Sequence, residues 1–211
     1  MSNRPLPYLA LRNMPRPGFT LPETLVTMAV GSMVLLIVVG FMIEANRFQQ
    51  FIAEQSTAIT VADSATTTMA KALRETIDGA NGSYALDTAE DNTVIFYSDI
   101  DADSNTEQVT YTLSGTQINQ TTIEPTTAPS QYLSQNGTTK TVATNIVNGT
   151  YTHNAIFTYY DDQNQVLPTP VDLSSVTLVR IHLDVNVDPN RVPDTHTIET
   201  YVQLRNLNDN L

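Results

Sequence analysis

Residues 24–43 read TLVTMAVGSMVLLIVVGFMI, twenty positions without a charge. At 1.5 Å per residue a helix of this run is about 30 Å long, which matches the hydrocarbon thickness of a bilayer. No other stretch of the 211-residue chain approaches it. The run predicts a single membrane-spanning helix over about residues 21–43, with lipid as its first partner.

Charge on either side gives the helix a direction. Residues 1–18 carry Arg4, Arg12 and Arg16 and no acid, whereas residues 44–211 carry 7 basic and 21 acidic residues. A basic flank stays in the cytoplasm, so the N-terminus is expected inside and the acidic remainder outside. The formal charge of -12 also argues against direct contact with nucleic acid, whose phosphates would be repelled. A cleaved secretory signal fits poorly. The apolar run exceeds an ordinary 7–15-residue signal core, no small-x-small site follows Ile43, and the helical pattern continues into FQQFIAEQ. The absence of cysteine excludes disulfides, thiolate metal sites and a Cys nucleophile.

An acid, Glu23, stands at the head of the apolar run, directly after Pro22. In the first turn of a helix a carboxylate is favoured by the positive end of the dipole, and proline is tolerated there. At a membrane boundary it is also a candidate for function, and such a candidate needs a partner.

The segment Arg16-Pro17-Gly18-Phe19-Thr20-Leu21-Pro22-Glu23, followed by the apolar run, resembles the processing signal of the type IV pilin and pseudopilin family. The resemblance implies that a membrane prepilin peptidase cuts between Gly18 and Phe19 and methylates the new amine, leaving a 193-residue mature chain with Glu23 as its fifth residue. Glycine, lacking a Cβ, suits an extended backbone in a protease. The new amine on Phe19 would need a counter-charge in a low-dielectric setting. Glu23 of one subunit is expected to meet the Phe19 amine of its neighbour and so set filament register. Pro22, in place of the more usual aliphatic residue, and Gly40, where many major pilins have proline, depart from the pattern.

Beyond Ile43 the helical period persists through Phe48, Phe51/Ile52, Gln55, Ile59, Ala62, Met69, Leu73 and Ile77, with Glu54, Asp63, Lys71 and Glu75 elsewhere. The helix is expected to run from about Leu21 to about Asp78, close to 90 Å, before the stop signals at Gly79 and Asn81-Gly82. Short strands follow at residues 94–97, 109–113 and 156–160. Two runs alternate: Val179, Ile181, Leu183, Val185 and Val187 against Arg180, His182, Asp184, Asn186 and Asp188; then Ile198, Thr200, Val202 and Leu204 against Glu199, Tyr201, Gln203 and Arg205. The expected architecture is α+β: a basic leader at 1–18, a long helix at 19–78, and a β-rich head at 79–211 with one antiparallel sheet packed on the helix, the lollipop of the pilins. Residues 121–129 and 161–170 are expected to be polar surface loops. The stretches 96–103, 107–113 and 200–206 are similar to minor pilins of the PilW and pseudopilin J kind.

Asp99, Asp101 and Asp103, with Asn105 and Glu107, form an oxygen-rich alternation that could ligate calcium. It departs from the EF-hand pattern, because Ser104 holds the sixth position and Thr110 the twelfth. The expectation is a hairpin turn with solvated acids and no metal. His153, His182 and His196 show no metal-ligand spacing, and no nucleophile motif, P-loop or dinucleotide fingerprint occurs. Asp161-Asp162 reads as an acidic turn. The sequons at Asn81, Asn119, Asn136 and Asn148 are explained, in three cases, by Asn-Gly turns.

The chain is thus expected to be a cofactor-free structural subunit, of the minor type, in a type IV pilus, competence pilus or type II secretion pseudopilus. Its expected partners are the prepilin peptidase, other pilin subunits, an assembly platform with its ATPase, and membrane lipid. It would sit in the cell membrane with the head outside, then in a surface or periplasmic filament. The competing reading is a single-pass anchored protein whose head binds or adheres to a surface.

Overall fold

A run of twenty apolar residues satisfies its backbone without water only as a helix. In the computed structural model, which describes residues 18–191 and 194–204, α1 occupies Leu21–Arg74. Residues 1–17 of the expected leader at 1–18 lie outside the described residues, as does Arg205-Asn206. The chain divides into two compact units between Phe48 and Gln49.

In the first unit α1 is long and apolar enough to cross a membrane. Its large side chains face outward all round, Leu25, Met28, Leu36, Ile37 and Phe41 among them. Thr24, Thr27 and Ser32 each donate their hydroxyl to a carbonyl one turn back, on Leu21, Thr24 and Ala29 at 2.8, 3.0 and 2.9 Å. The apolar segment therefore contains no hydroxyl in need of an outside partner.

In the second unit the rest of α1 buries Phe51, Gln55, Ala58, Ala62, Ala65, Met69 and Leu73, which lie on one face. The expected Phe48 and Ile52 stay largely exposed. Two antiparallel sheets, not the expected single one, pack with this face. The first is a meander in chain order, β1 (Leu86–Ala89), β2 (Thr93–Ser98), β3 (Glu107–Ser114), β4 (Gln117–Ile123) and β5 (Thr138–Ala143). The second has the order β6 (Phe157–Tyr160), β7 (Leu178–Val185), β8 (His196–Gln203). Phe96, Tyr111 and Ile118 from one sheet and Phe157, Ile181 and Leu183 from the other join Met69 and Leu73 in one core. The unit containing the sheets thus includes residues 49–78, which the sequence placed with the helical segment. Thr121 to Ile123, expected in a loop, end β4.

The helix stops at Arg74, short of the expected Asp78. Thr76 turns its hydroxyl back onto the Leu73 carbonyl at 2.7 Å, and the Ile77 N–H leaves the helical ladder for the carbonyl of Tyr97 in β2 at 2.9 Å. A tertiary bond to the sheet outcompetes another helical turn. Gln55 provides a second tie: its Nε2 donates to the Val185 carbonyl at 3.3 Å and its Oε1 accepts the Val187 N–H at 2.9 Å. The β3–β4 reversal needs only Gly115-Thr116, with Gly115 at a left-handed φ of 61°.

Candidate functional site

Proline at position 22 lacks an N–H and pre-sets the helical φ, so the chain ahead of it is free to be extended. Gly18, Phe19 and Thr20 lie outside regular structure, and all three are exposed. A Cβ built at Gly18 meets nothing within 4 Å. Phe19 keeps 78% of its surface in the open. The Gly18–Phe19 bond is therefore accessible, uncovered by any described part of the chain.

The helix opens with Thr20 in the N-cap position. Its carbonyl accepts the first helical bond, from the Thr24 N–H at 3.1 Å, and its own N–H donates to Glu23 Oε2 at 3.4 Å. Glu23 reaching back from the third helical position is half of a capping box, and the spacing Thr20-x-x-Glu23 is its sequence signature. That signal was readable in the sequence but was absorbed into the general preference for acids in a first turn. The bond is long and Glu23 is exposed, so the carboxylate retains acceptor capacity. Among the described residues the ion pairs are Arg47 with Glu44, Arg180 with Glu199, and His182 with Asp184; none involves Glu23. An acid in the first turn of a helix lies at the positive end of the dipole, where negative charge is favoured.

In the sheet-bearing unit, Asp99, Asp101 and Asp103 are brought together with Glu107, each offering a carboxylate oxygen within 4.8 Å of the others. The three aspartates lie in the β2–β3 loop, while Glu107 opens β3 and is fully buried. The expectation of four solvated acids therefore fails at Glu107. Burial, with smaller contributions from Glu124, Asp101 and Asp99, outweighs the bond from the Ile100 N–H and pushes the Glu107 carboxyl up to about 7.

Of the three histidines, His182 pairs with Asp184 at 3.2 Å on β7. Asp184 was expected on the wet face, yet it is 2% exposed. A π-helical turn at Asn148–Thr152 covers it. Thr152, Asn154 and Thr197 donate to its carboxylate at 2.6, 2.8 and 2.7 Å, and its own N–H donates to Asn148 Oδ1 at 2.7 Å. Burial raises its pKa, but these donors and His182 together hold it below the usual carboxylate range. A carboxylate saturated in this way holds strands together rather than moving protons.

A family model, the prokaryotic N-terminal methylation motif, matches residues 14–39. These residues carry a prepilin signal of the type IV pilin kind, and the match spans Gly18, Phe19, Glu23 and most of the apolar run. No curated protein matches the chain.

Proposed function

We propose that the chain is a structural subunit, minor in kind, of a type IV pilus or a type II secretion pseudopilus, made as a prepilin and cut between Gly18 and Phe19. The observation that carries this reading is the conjunction at one helix start: an exposed Gly18–Phe19 bond, a carboxylate four residues on with no cation on it among the described residues, and a prepilin signal over 14–39. Hydrolysis releases the basic leader and creates an amine at Phe19 beside the helix's positive end. That arrangement is unfavourable unless a carboxylate answers it. Glu23 of the same chain is partly engaged with the Thr20 N–H, and the remaining acceptor positions are available to a neighbour's amine.

The outward apolar side chains of residues 24–43 must be covered by neighbouring helices once the helix leaves lipid, since each large side chain left in water would cost about 1.5–3 kcal/mol. The minor assignment follows the similarity of segments 96–103, 107–113 and 200–206 to minor pilins. The head is read as outward-facing, by the charge asymmetry of the flanks. The role proposed is mechanical rather than enzymatic.

Intact mass and N-terminal sequencing of the protein from membranes and from sheared surface material test the proposal. A chain beginning at N-methylated Phe19 is expected, with a share in the sheared fraction. Glu23→Ala should be cleaved normally and be depleted from filaments. A chain still beginning at Met1 or Ser2 beside an active peptidase would overturn the reading in favour of an anchored surface protein.

A further inference from the structure

The loop between β2 and β3 concentrates negative charge around a side chain that cannot bear it alone. Ser98 and Glu107 are the last register pair of the two strands, so the eight intervening residues leave and return at one point. Ala102 and Ser104 adopt left-handed φ values of 63° and 76°, which curl the loop back over its own feet. Ser104 thus takes the conformation that glycine supplies at the sixth position of an EF-hand loop, and the departure read from the sequence is sterically accommodated. The aspartates are tied down as acceptors within the loop: Asp99 takes the N–H groups of Ala102 and Ser104 at 2.7 and 3.1 Å, Asp101 that of Asp103 at 3.2 Å, and Asp103 that of Asn105 at 2.7 Å.

These turns alone would describe any acidic hairpin. Glu107 is different. It is 0% exposed, Oε2 accepts the Ile100 N–H at 2.8 Å, and Oε1 is buried without a hydrogen-bond partner. A desolvated carboxylate oxygen without a donor is costly, and a cation or a proton is the usual remedy. Glu124 follows β4 at the register step opposite Glu107, because Gln108 pairs with Ile123. Its carboxyl lies beside that of Glu107. The groups facing Glu107 are therefore Asp99, Asp101, Asp103 and Glu124, all acids, together with the hydroxyl of Tyr132, which donates to the Thr106 carbonyl at 2.7 Å. None of the ion pairs among the described residues reaches this group.

We propose that this loop is a calcium site, in which Asp99, Asp101, Asp103 and Glu107 supply the carboxylate oxygens. The donor set decides the metal. Four carboxylates and no nitrogen or sulfur disfavour zinc and the later transition metals. A flexible all-oxygen cluster with bidentate capacity suits calcium better than magnesium, which demands a tighter octahedron and keeps its waters. Glu107 takes the part of the closing acid, from the ninth position and across the foot of a hairpin, where an EF-hand uses the twelfth. The site is independent of the filament reading, since it lies wholly within the sheet-bearing unit.

The test is a titration of the full chain in detergent micelles, stripped with EGTA and held at constant ionic strength near pH 7.5. Calorimetry is expected to show one calcium per chain, with a dissociation constant between about 10⁻⁵ and 10⁻³ M, and magnesium at least about tenfold weaker. Terbium luminescence sensitised by Tyr97 and Tyr132, whose rings lie 5.0 Å apart, should rise on loading and fall when calcium displaces the probe. Glu107→Gln and the exposed-loop variant Asp103→Asn should each weaken calcium binding at least about tenfold, while Asp103→Asn melts at the wild-type temperature without metal. No saturable calcium binding up to about 10 mM would overturn the proposal. So would binding that both variants retain, or that magnesium matches, since that is screening of an acidic surface. A Glu107 that titrates identically with and without calcium would assign the buried oxygen to a proton instead.

Discussion

Replacing Gln55 by methionine tests whether the helix is held to β7 by hydrogen bonds or by apolar packing alone. Methionine keeps the length and volume of the side chain and removes both polar partners. Gln55 is 3% exposed, and its two bonds, to the Val187 N–H at 2.9 Å and the Val185 carbonyl at 3.3 Å, engage β7 and the residues just after it. A neutral hydrogen bond contributes about 1 kcal/mol, and a buried partner left unsatisfied costs about 1–3 kcal/mol. The shorter bond should dominate, and methionine recovers part of the loss through apolar burial, so the expected net loss is about 2 kcal/mol. For a domain of this size that lowers the melting temperature by roughly 4–8 °C. Thermal melting of the full chain in detergent, followed by circular dichroism, reads the global effect. Hydrogen exchange at the Val187 amide reads the local one, which should quicken by more than the change in stability alone requires. A methionine variant that melts within about 1 °C of wild type, with the Val187 amide equally protected, would refute the reasoning and assign the contact to Phe51, Ala58 and Ala62.

Other outcomes follow from the two buried acids. Glu107 is pushed up to about 7, so the folded state holds its proton longer than the unfolded chain does; in metal-free buffer stability should fall as pH rises from about 4.5 to 7 and then level off. The loss should be about 1–2 kcal/mol after solvent screening, and Glu107→Gln should abolish that slope in melts across the range. Asp184 has the opposite sign: its contribution is present above the ordinary aspartate value and is lost as pH falls through its lowered one. Asp184→Ala should cost about 3 kcal/mol in denaturant unfolding, because Thr152, Asn154 and Thr197 lose a common acceptor.

What the sequence disclosed, and what it hid, divides along physical lines. β7 and β8 announce themselves because apolar residues alternate where one face is buried, and β2, β3 and β6 through short runs rich in β-branched and aromatic residues. β4, Gln117–Ile123, follows the buried Ile118 with Gln120 at the next interior position, and β5, Thr138–Ala143, is an edge strand exposed over most of its length. Their cohesion comes from paired side chains, Thr121 with Thr139 at 2.8 Å and Thr141 with Asn119 at 2.9 Å, which leave no hydrophobic period to read. β1 is four residues long with a register shift. The prepilin signal was legible because its residues, Gly18, Phe19 and Glu23 among them, are close together in the sequence. Glu107 was visible as an acid, but its burial depends on the closure of the β2–β3 hairpin, and its neighbour Glu124 arrives through the β3–β4 pairing. Asp184 was misplaced because strand alternation carries no information about a turn thirty residues earlier that folds over the wet face.

If the helix passes from lipid into a filament, as proposed above, its three hydroxyls have a consequence. A serine or threonine bonded to a neighbouring subunit or to headgroup water would have to break that bond on moving from lipid into a packed assembly, and the barrier would rise with each one. Thr24, Thr27 and Ser32 instead bond to carbonyls of their own helix, one turn back. To its surroundings the segment presents methyl and methylene groups in either phase, and its polar atoms travel with it. Transfer between a bilayer and a protein bundle then reduces to an exchange of apolar contacts for apolar contacts, nearly balanced in free energy, so that a modest pull at one end is enough to decide the direction.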